Sequence, residues 1–242
     1  MKTDRVVVVT GAAGGMGSRV VERFLANGDT VIAADINKDG LTKLDKDPKL
    51  TTIVADVSKE ADCQAVADMA RDRGGRVDVL VNVAGWFPVQ PFEGVTADDV
   101  RKVIDVNLTG PFLMIRAIWP LMKSRGWGRI VNIGSASAFE GVADQVPYVS
   151  AKAGLFGMTR SLARAMGGAG VTVNVVTPGL TSTPAVKTSM PEAMIKTSVE
   201  ARALRREEQP EDLIGAIFFL ASPDADFISG QTVNVDGGKH ML

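Results

Sequence analysis

A glycine-rich turn near the start of the chain constrains the fold more than any other stretch of the sequence. The apolar, β-branched run 5–10 leads directly into Gly11-Ala-Ala-Gly-Gly-Met-Gly17, a pattern typical of a buried parallel strand that ends in a tight turn. Residues 18–27 have apolar side chains at helical spacing, and a second apolar run, 30–34, ends at Asp35. Strand, glycine turn, helix, strand and acid in this order predict a βαβ unit that binds a dinucleotide.

The alternation of strands and helices continues along the chain. Further strands are predicted over 51–55, 77–81, 128–133, 171–176 and 231–235, and further helices over 38–46, 58–72, 96–124, 147–166 and 210–221. Ser58 and Thr96 are the predicted N-caps of their helices, and Pro111 predicts a break or kink in the long region 96–124. The pattern predicts an α/β fold of the Rossmann type, a doubly wound sheet of seven mostly parallel strands in a three-layer αβα arrangement.

We expect one domain over residues 1–242, an NAD(P)-binding Rossmann-fold domain with a single irregular insertion. Residues 181–209 contain Pro184 and Pro191 and only weakly amphipathic stretches. A segment of this length inside a compact domain is usually either a functional lid or disordered. We therefore predict that 181–209 is a substrate lid.

The composition argues against several classes of protein. With 27 basic and 28 acidic residues the net charge is −1, which is not typical of a nucleic-acid binder, and the mixed charges of 202–208 are interpreted as a solvated helix face. One histidine, His240, and one cysteine, Cys63, provide no metal-ligand spacing, so no metal is expected. No apolar run is long enough to span a bilayer, no signal peptide is recognisable, and a single cysteine fits a reducing compartment. The expectation is a soluble cytoplasmic protein that does not bind membranes.

The acid at the end of the second strand bears on the choice of cofactor. A carboxylate at Asp35 can accept hydrogen bonds from both ribose hydroxyls and would repel a 2′-phosphate. No arginine or lysine within 12–17 or at Ile36 offsets that repulsion. The sequence therefore favours NAD over NADP. Asp56 ends the third strand in the same way, and its carboxylate or the Val57 amide is expected near the adenine.

The only tyrosine, Tyr148, is followed four residues later by Lys152. On a helix that begins at Pro147, this spacing places both side chains on one face, about one turn apart. A cation close to a phenol favours the phenolate, so Lys152 is expected to lower the pKa of Tyr148 and make it a useful base.

Six motifs, in order along essentially the whole chain, resemble the single-domain type of the short-chain dehydrogenase/reductase (SDR) family. They are Thr10-Gly-Ala-Ala-Gly-Gly-Met-Gly17, Asn82-Val-Ala-Gly85, Asn107 in Val-Asn-Leu-Thr-Gly, Ser135, Tyr148-Val-Ser-Ala-Lys152, and Pro178-Gly179 with Thr183. The chain departs from the family at Val83, Gly134 and Thr181, where the family usually has asparagine, a hydroxy residue and isoleucine.

The resemblance implies four catalytic residues. Tyr148 would exchange a proton with the substrate oxygen, and Ser135 would hydrogen-bond the substrate carbonyl. Lys152 would hold the nicotinamide ribose and lower the tyrosine pKa, and Asn107 would hold a water that links the lysine to solvent. The cofactor-binding residues expected from the motifs and the resemblance are Gly11, Gly14, Gly15, Met16, Gly17, Asp35, Ile36, Asp56, Val57, Asn82, Ala84, Gly85, Tyr148, Lys152, Pro178, Gly179, Thr181 and Thr183. The resemblance also implies a homotetramer, with a dimer as the alternative.

The predicted function is an NAD-dependent oxidoreductase that interconverts a secondary alcohol and a ketone. Apolar residues near the predicted site favour a small to medium, mainly apolar substrate. If Phe87 and Phe139 shape the pocket, the substrate is expected to be aromatic. The alternative is that most of these apolar residues belong to the core. The predicted pocket residues are Phe87, Ser137, Phe139, Val142, Leu180, Met190 and Met194, and Ser137 is an alternative to Ser135.

Two other functions are alternatives to this prediction. One is a 3-oxoacyl-thioester (acyl-carrier-protein) reductase, which the family also contains. It would be expected to use NADP and to have a basic patch, and Asp35 and the balanced charge disfavour it. The other is a protein that binds NAD as a sensor or scaffold without turnover, which would need no catalytic set.

Overall fold

The structure is a computed structural model and describes residues 4–44 and 46–241. In this part of the chain, seven strands form one sheet in the order β3-β2-β1-β4-β5-β6-β7. The strands are β1 (Val6–Thr10), β2 (Thr30–Asp35), β3 (Leu50–Val54), β4 (Val79–Asn82), β5 (Gly128–Ile133), β6 (Val171–Pro178) and β7 (Thr232–Val235). Every neighbouring pair is parallel. The predicted doubly wound sheet is confirmed.

Helices cover both faces of the sheet, which confirms the three-layer αβα arrangement. They are α1 (Gly15–Ala26), α2 (Lys38–Leu41), α3 (Glu60–Gly74), α4 (Ala97–Ile104), α5 (Gly110–Lys123), α6 (Ser137–Glu140), α7 (Val146–Met166), α8 (Pro184–Ser189), α9 (Glu192–Glu200) and α10 (Pro210–Leu220). One core contains apolar residues of α3, α5 and α7, and the other contains residues of α1 and α10.

The positions of the β1 side chains explain why this strand is a continuous apolar run in the sequence. Val6 and Val8 belong to the core under α3, α5 and α7, whereas Val7 and Val9 belong to the core under α1 and α10. Successive side chains of a strand point to opposite faces, so a strand that is covered on both sides needs apolar residues at every position.

Two helix starts and ends differ from the sequence-based prediction. Helix α2 ends at Leu41 instead of continuing to 46, and residue 45 lies outside the described residues. Ser58 is not an N-cap, since α3 begins at Glu60 after Lys59. The Ser58 hydroxyl donates a 2.6 Å hydrogen bond to Asp56 instead, because a serine can satisfy a nearby acceptor in a turn as readily as a helix end.

The long region 96–124 starts and breaks as predicted. Thr96 caps α4 with a reciprocal capping box that includes Asp99. A π-helical segment, Asp105–Thr109, separates α4 from α5, and Pro111 lies in the first turn of α5. Proline has no N–H to donate to the preceding turn, so the helix cannot run through it in regular α geometry.

Residues 181–209 form two short helices, α8 and α9, followed by turns. The interpretation of 202–208 as a solvated helix face is wrong for two of its residues, since Arg202 and Glu208 are only 3% and 4% exposed. They are buried against each other, with Arg202 Nη2 3.7 Å from Glu208 Oε2. Pairing is what allows such charges to leave water.

Among the described residues, no helix combines the length and apolarity required to cross a bilayer. These residues also contain no group of three or more His, Cys, Asp or Glu side chains that could hold a metal ion.

Candidate active site

A cleft of about 1210 Å³ runs along the carboxyl ends of the strands. Its walls are formed by the residues that follow β1 to β6, including Gly11, Ile36, Ala55, Gly134 and Gly179. Parallel sheets with this strand order have a crevice here because the chain leaves β1 in one direction and β4 in the other. Of the predicted site residues, all but Asn82, Asn107 and Phe139 line this cleft.

The glycine turn after β1 is shaped by contacts that no side chain would permit. Gly11 has φ +65°, and a Cβ added there would lie 2.6 Å from the Ala84 amide nitrogen. A Cβ at Gly17 would lie 2.0 Å from the Gly11 carbonyl oxygen. The turn ends at Gly14, which caps α1 without a side chain, so the N-terminus of α1 opens into the cleft. Exposed amides and the helix dipole fit a pyrophosphate.

Asp35 is held rigidly at the end of β2. One carboxylate oxygen accepts from the Ala13 amide at 2.9 Å and the other from the Asn37 amide at 2.8 Å. Each carboxylate oxygen can accept a second hydrogen bond. Asp35 can therefore support the glycine turn and still accept the hydroxyls of a ribose, while the neighbouring Ile36 presents an exposed apolar side chain to the cleft.

The end of β3 contributes Asp56 and Val57 to the same wall. The Asp56 carboxylate accepts from the backbone and the hydroxyl of Ser58, which lowers its pKa against the opposing effect of burial. Asp56 is thus an ionised turn residue whose Oδ1 is already engaged.

Asn82 does not line the cleft, although it was predicted to bind the cofactor. It is buried, and its side-chain amide donates to Asn132 Oδ1 at 2.9 Å. Asn132 in turn donates to the Thr159 hydroxyl at 3.0 Å. This chain of polar groups joins β4 and β5 to α7, while the backbone at Ala84 and Gly85 remains in the cleft wall.

Ser135, Tyr148 and Lys152 lie together at the other end of the cleft. Ser135 follows β5, and the other two residues lie on α7, four positions apart. The Lys152 ammonium donates to the Ile133 carbonyl oxygen at 2.8 Å and lies 5.6 Å from the centre of the Tyr148 ring. Helical spacing accounts for the pair, but only the end of β5 brings the serine to it.

Ser135 and Ser137 form a close pair, with 2.7 Å between their hydroxyl oxygens. The Ser137 amide also donates to Ser135 Oγ at 3.2 Å. When Ser137 donates its hydroxyl proton as well, Ser135 accepts twice and can donate its own proton to a third group, which is Tyr148 in this structure.

The pKa values differ in direction from the sequence-based expectation. Burial raises the pKa of Tyr148 to about 12, against a hydrogen bond from Ser135 that lowers it. Burial also lowers the pKa of Lys152 to about 8. Loss of solvent is the largest effect on both pKa values, and it opposes the charged form of each group.

Asn107 lies in the π-helical segment, fully buried behind the cleft wall. Its side chain accepts from the Trp86 amide at 3.2 Å and donates to the Trp86 carbonyl at 2.7 Å and to the Val103 carbonyl at 3.0 Å. The side chain therefore joins the segment after β4 to the break between α4 and α5. Its predicted role in holding a water remains a prediction.

Among the residues after β6, Thr183 and Thr181 use their hydroxyls within the protein. Thr183 accepts from the Val186 amide and so caps α8. Thr181 donates to Glu208 Oε1 at 2.7 Å. Both residues line the cleft together with Pro178 and Gly179.

The wall beyond Tyr148 is largely apolar. Phe87 meets the Tyr148 ring edge-on at 6.1 Å between ring centres. The predicted pocket residues Ser137, Val142, Leu180, Met190 and Met194 also line it. Phe139 does not line the cleft: its ring stacks on Phe156, with 5.1 Å between ring centres, because the short helix α6 directs it toward α7.

Sequence reasoning missed several polar residues of the cleft. Among them are Glu140, Gln145, Lys239 and His240. Lys239 binds Glu140 at 2.7 Å across a separation of 99 residues, and His240 Nδ1 lies 2.8 Å from Asp236. His240 was considered only as a metal ligand; no local pattern connects the end of the chain to α6.

Comparison with known proteins agrees with this geometry. A family model described as enoyl-(acyl carrier protein) reductase matches residues 11–240. The (2S)-[(R)-hydroxy(phenyl)methyl]succinyl-CoA dehydrogenase subunit BbsD of Thauera aromatica is 36% identical over 244 residues, which cover 99% of this chain and 98% of that protein.

Two solved structures have the same fold along the whole chain. They are levodione reductase and a short-chain dehydrogenase/reductase from Brucella melitensis, each with a TM-score of 0.93 and 31% identity, covering 99% of this chain and 98% of the other. The described structure, the motifs and these similarities together lead to one conclusion: the chain belongs to the short-chain dehydrogenase/reductase family of oxidoreductases, which bind a nicotinamide cofactor.

Proposed function

We propose that the protein is an NAD-dependent oxidoreductase that interconverts a secondary alcohol and a ketone, with Tyr148 as the acid/base. The observation that carries the proposal is the content of one cleft: the glycine turn and Asp35 at one end, and Ser135, Tyr148 and Lys152 at the other. A bound nicotinamide would supply or accept the hydride.

The chain's own groups would manage the proton and the substrate oxygen. The Ser135 hydroxyl, which is free to donate when Ser137 donates to it, holds the substrate oxygen. Tyr148 gives its proton to that oxygen in ketone reduction and takes it back in alcohol oxidation. Because hydride transfer to a ketone develops negative charge on oxygen, donors placed in advance stabilise the transition state.

The environment of Tyr148 affects ketone reduction and alcohol oxidation differently. A pKa of about 12 keeps the phenol protonated, which suits the proton donor needed for ketone reduction. Alcohol oxidation needs the phenolate, and the cation that would stabilise it is Lys152. The lysine's own pKa of about 8 means that it is charged at neutral pH.

The preference for NAD rests on Asp35. Its carboxylate lies in the cleft wall and is fixed by two backbone amides. A 2′-phosphate there would meet a fixed negative charge, whereas the ribose hydroxyls of NAD would meet an acceptor.

The substrate would occupy the apolar end of the cleft. We propose that 181–209 is a lid, since Val186, Met190 and Met194 contribute apolar side chains to this end. Phe87 contacts the Tyr148 ring edge-on and contributes an aromatic ring to this end of the cleft. These features support a small to medium, mainly apolar substrate, aromatic groups included.

A thioester substrate is the second candidate. BbsD is named as a dehydrogenase of a CoA thioester with a phenyl group, and the matching family model is described by an acyl carrier protein substrate. A 3-hydroxyacyl or 3-oxoacyl thioester has the same alcohol or ketone centre, so the same proton and hydride chemistry would serve. A sensor that binds NAD without turnover is disfavoured by the complete catalytic set.

We also propose a cytoplasmic location and a homotetramer, with a dimer as the alternative. Cys63 is buried, and burial raises its pKa to about 11. An inert structural thiol of this kind fits a reducing compartment.

The test is the Tyr148→Phe variant, assayed with NADH against a panel of ketones and 3-oxoacyl-CoA thioesters. Phenylalanine keeps the ring but not the proton, so we expect kcat to fall by about 10²–10⁴-fold. The variant should still bind NADH, and its Kd for NADH, measured by fluorescence, should change far less than kcat does. Undiminished turnover in the variant would contradict the mechanism, and turnover of thioesters alone would select the second candidate.

A further inference from the structure

A buried cluster of charged side chains lies directly beneath the turn that follows β6. Its members are Arg202, Glu208 and Asp236, each at most 4% exposed. None of them belongs to the proposed catalytic set, and burying a carboxylate or a guanidinium is costly unless it is paired and hydrogen-bonded.

Three consecutive residues of the turn are tied to this cluster. Glu208 Oε2 accepts from the Gly179 amide at 3.2 Å, and Glu208 Oε1 accepts from the Thr181 hydroxyl at 2.7 Å. Arg202 Nη2 donates to the Leu180 carbonyl at 2.9 Å. One carboxylate and its paired guanidinium thus hold the backbone that borders the nicotinamide end of the proposed cofactor site.

The packing leaves no space between the turn and the cluster. A Cβ added at Gly179 would lie 2.7 Å from Glu208 Oε2 and 3.0 Å from Asp236 Cβ. The turn therefore rests on the carboxylate itself, and its position depends on that side chain.

Glu208 also joins the two ends of the segment 181–209. Its backbone carbonyl accepts from the Ser182 amide at 2.7 Å, and it forms an isolated parallel bridge with Thr181. Helices α8 and α9 extend from this junction and carry the apolar residues of the proposed lid.

The hydrogen bonds compensate in part for burial of the carboxylate. Burial raises the pKa of Glu208, and the charge of Asp236 acts in the same direction. The Thr181 hydroxyl, the Gly179 amide and Arg202 oppose them. Burying a carboxylate in such surroundings costs folding free energy, and an apolar residue of similar size would cost less.

We infer that Glu208 is a positioning residue: it fixes the turn at Gly179–Thr181 in the conformation that receives the cofactor and closes the base of the proposed lid. The inference rests on the proposed cofactor site. Without the carboxylate the turn would be less ordered, and cofactor binding would carry the entropic cost of ordering it.

The experiment measures the Kd for NADH and the melting temperature of three variants. Glu208→Gln replaces two acceptor oxygens by one, so the side chain can no longer accept from both Gly179 and Thr181. Thr181→Val removes the hydroxyl that donates to Glu208 and introduces no charge. The matched control is Glu207→Gln, which removes the same charge from the adjacent exposed position. We expect the Kd for NADH to rise about tenfold in each of the first two variants, and to change less than about twofold in the control.

The double variant Glu208→Gln/Thr181→Val should raise the Kd by less than the product of the single effects, because both changes remove the same contact. Melting temperatures distinguish positioning from stability alone. Variants that melt lower but bind NADH as the wild type does at 25 °C would overturn the inference. A wild-type protein that binds no NADH would overturn the proposed function as well.

Discussion

Asp35 shows how one side chain can serve a local structure and a ligand together. Its two oxygens hold the Ala13 and Asn37 amides, and so connect the glycine turn after β1 to the end of β2. Asp35 also lines the cleft, where the proposed ribose would lie. If the proposed preference for NAD holds, support for the turn and discrimination between cofactors are coupled in a single carboxylate.

This coupling leads to a prediction for Asp35→Ala. Removal of the charge should lower the ratio of kcat/KM for NAD to that for NADP by at least about tenfold, because a 2′-phosphate is no longer repelled. The Kd for NADH should rise at the same time, since two amides of the turn lose their acceptor. Asp39→Ala, an exposed acid on α2, is the control and should leave the ratio unchanged. A wild type that prefers NADP would contradict the argument.

At the scale of elements, the π-helical break between α4 and α5 carries Asn107. The break places an amide side chain where it can bond the backbone at Trp86, which follows β4 in the cleft wall. A regular helix through this region would present a different face to the strand. The start of α4 at Thr96 sets the register from which that break is reached.

We predict that Thr96→Ala reduces stability more than activity. The variant loses the hydroxyl that accepts from the Asp99 amide at 3.1 Å, and N-cap losses of this kind cost about 1 kcal/mol of unfolding free energy. Urea unfolding would measure the change, and kcat with a turned-over ketone should fall less than about threefold. Thr96→Ser retains the hydroxyl and is expected to be close to the wild type; equal destabilisation by both variants would refute the capping explanation.

At the scale of the molecule, three exposed apolar side chains lie on helices that we propose to form the subunit interface. They are Val100 on α4, Phe112 on α5 and Val146 on α7. Apolar side chains at this exposure on one set of helices favour burial by another subunit. Members of this family are typically oligomeric.

Light scattering should therefore give a mass about four times the 25.6 kDa of the chain. Phe112→Glu should lower the mass, because a buried unpaired carboxylate is costly at an interface. The control is the same substitution at the exposed Phe227, which is outside these helices. A mass of one chain would contradict the proposal, and a mass of two would select the dimer.

Much of the fold could be read from local patterns. The number of strands and the layers follow from continuous apolar runs alternating with helices, and the predicted β5 matches the observed range 128–133. Errors occurred where short-range signals compete, as at Ser58, whose hydroxyl bonds a neighbouring carboxylate instead of the helix end. Helix α2 was overextended because charged residues continue beyond Leu41 without a clear stop.

The glycine turn, Asp35 and the Tyr148–Lys152 pair could be predicted from the spacing of motifs. Each of them depends on local backbone geometry, namely a turn, the end of a strand or one turn of helix. The packing of distant segments decided the rest. Asn82 and Phe139 turn away from the cleft, Glu140 and Lys239 meet across 99 residues, and Glu208 is buried under Gly179. The solvation of a charged side chain, and the pKa of a buried phenol, depend on which helices and strands pack over them. That packing is set by residues far away in the chain, so it cannot be read from a local sequence pattern.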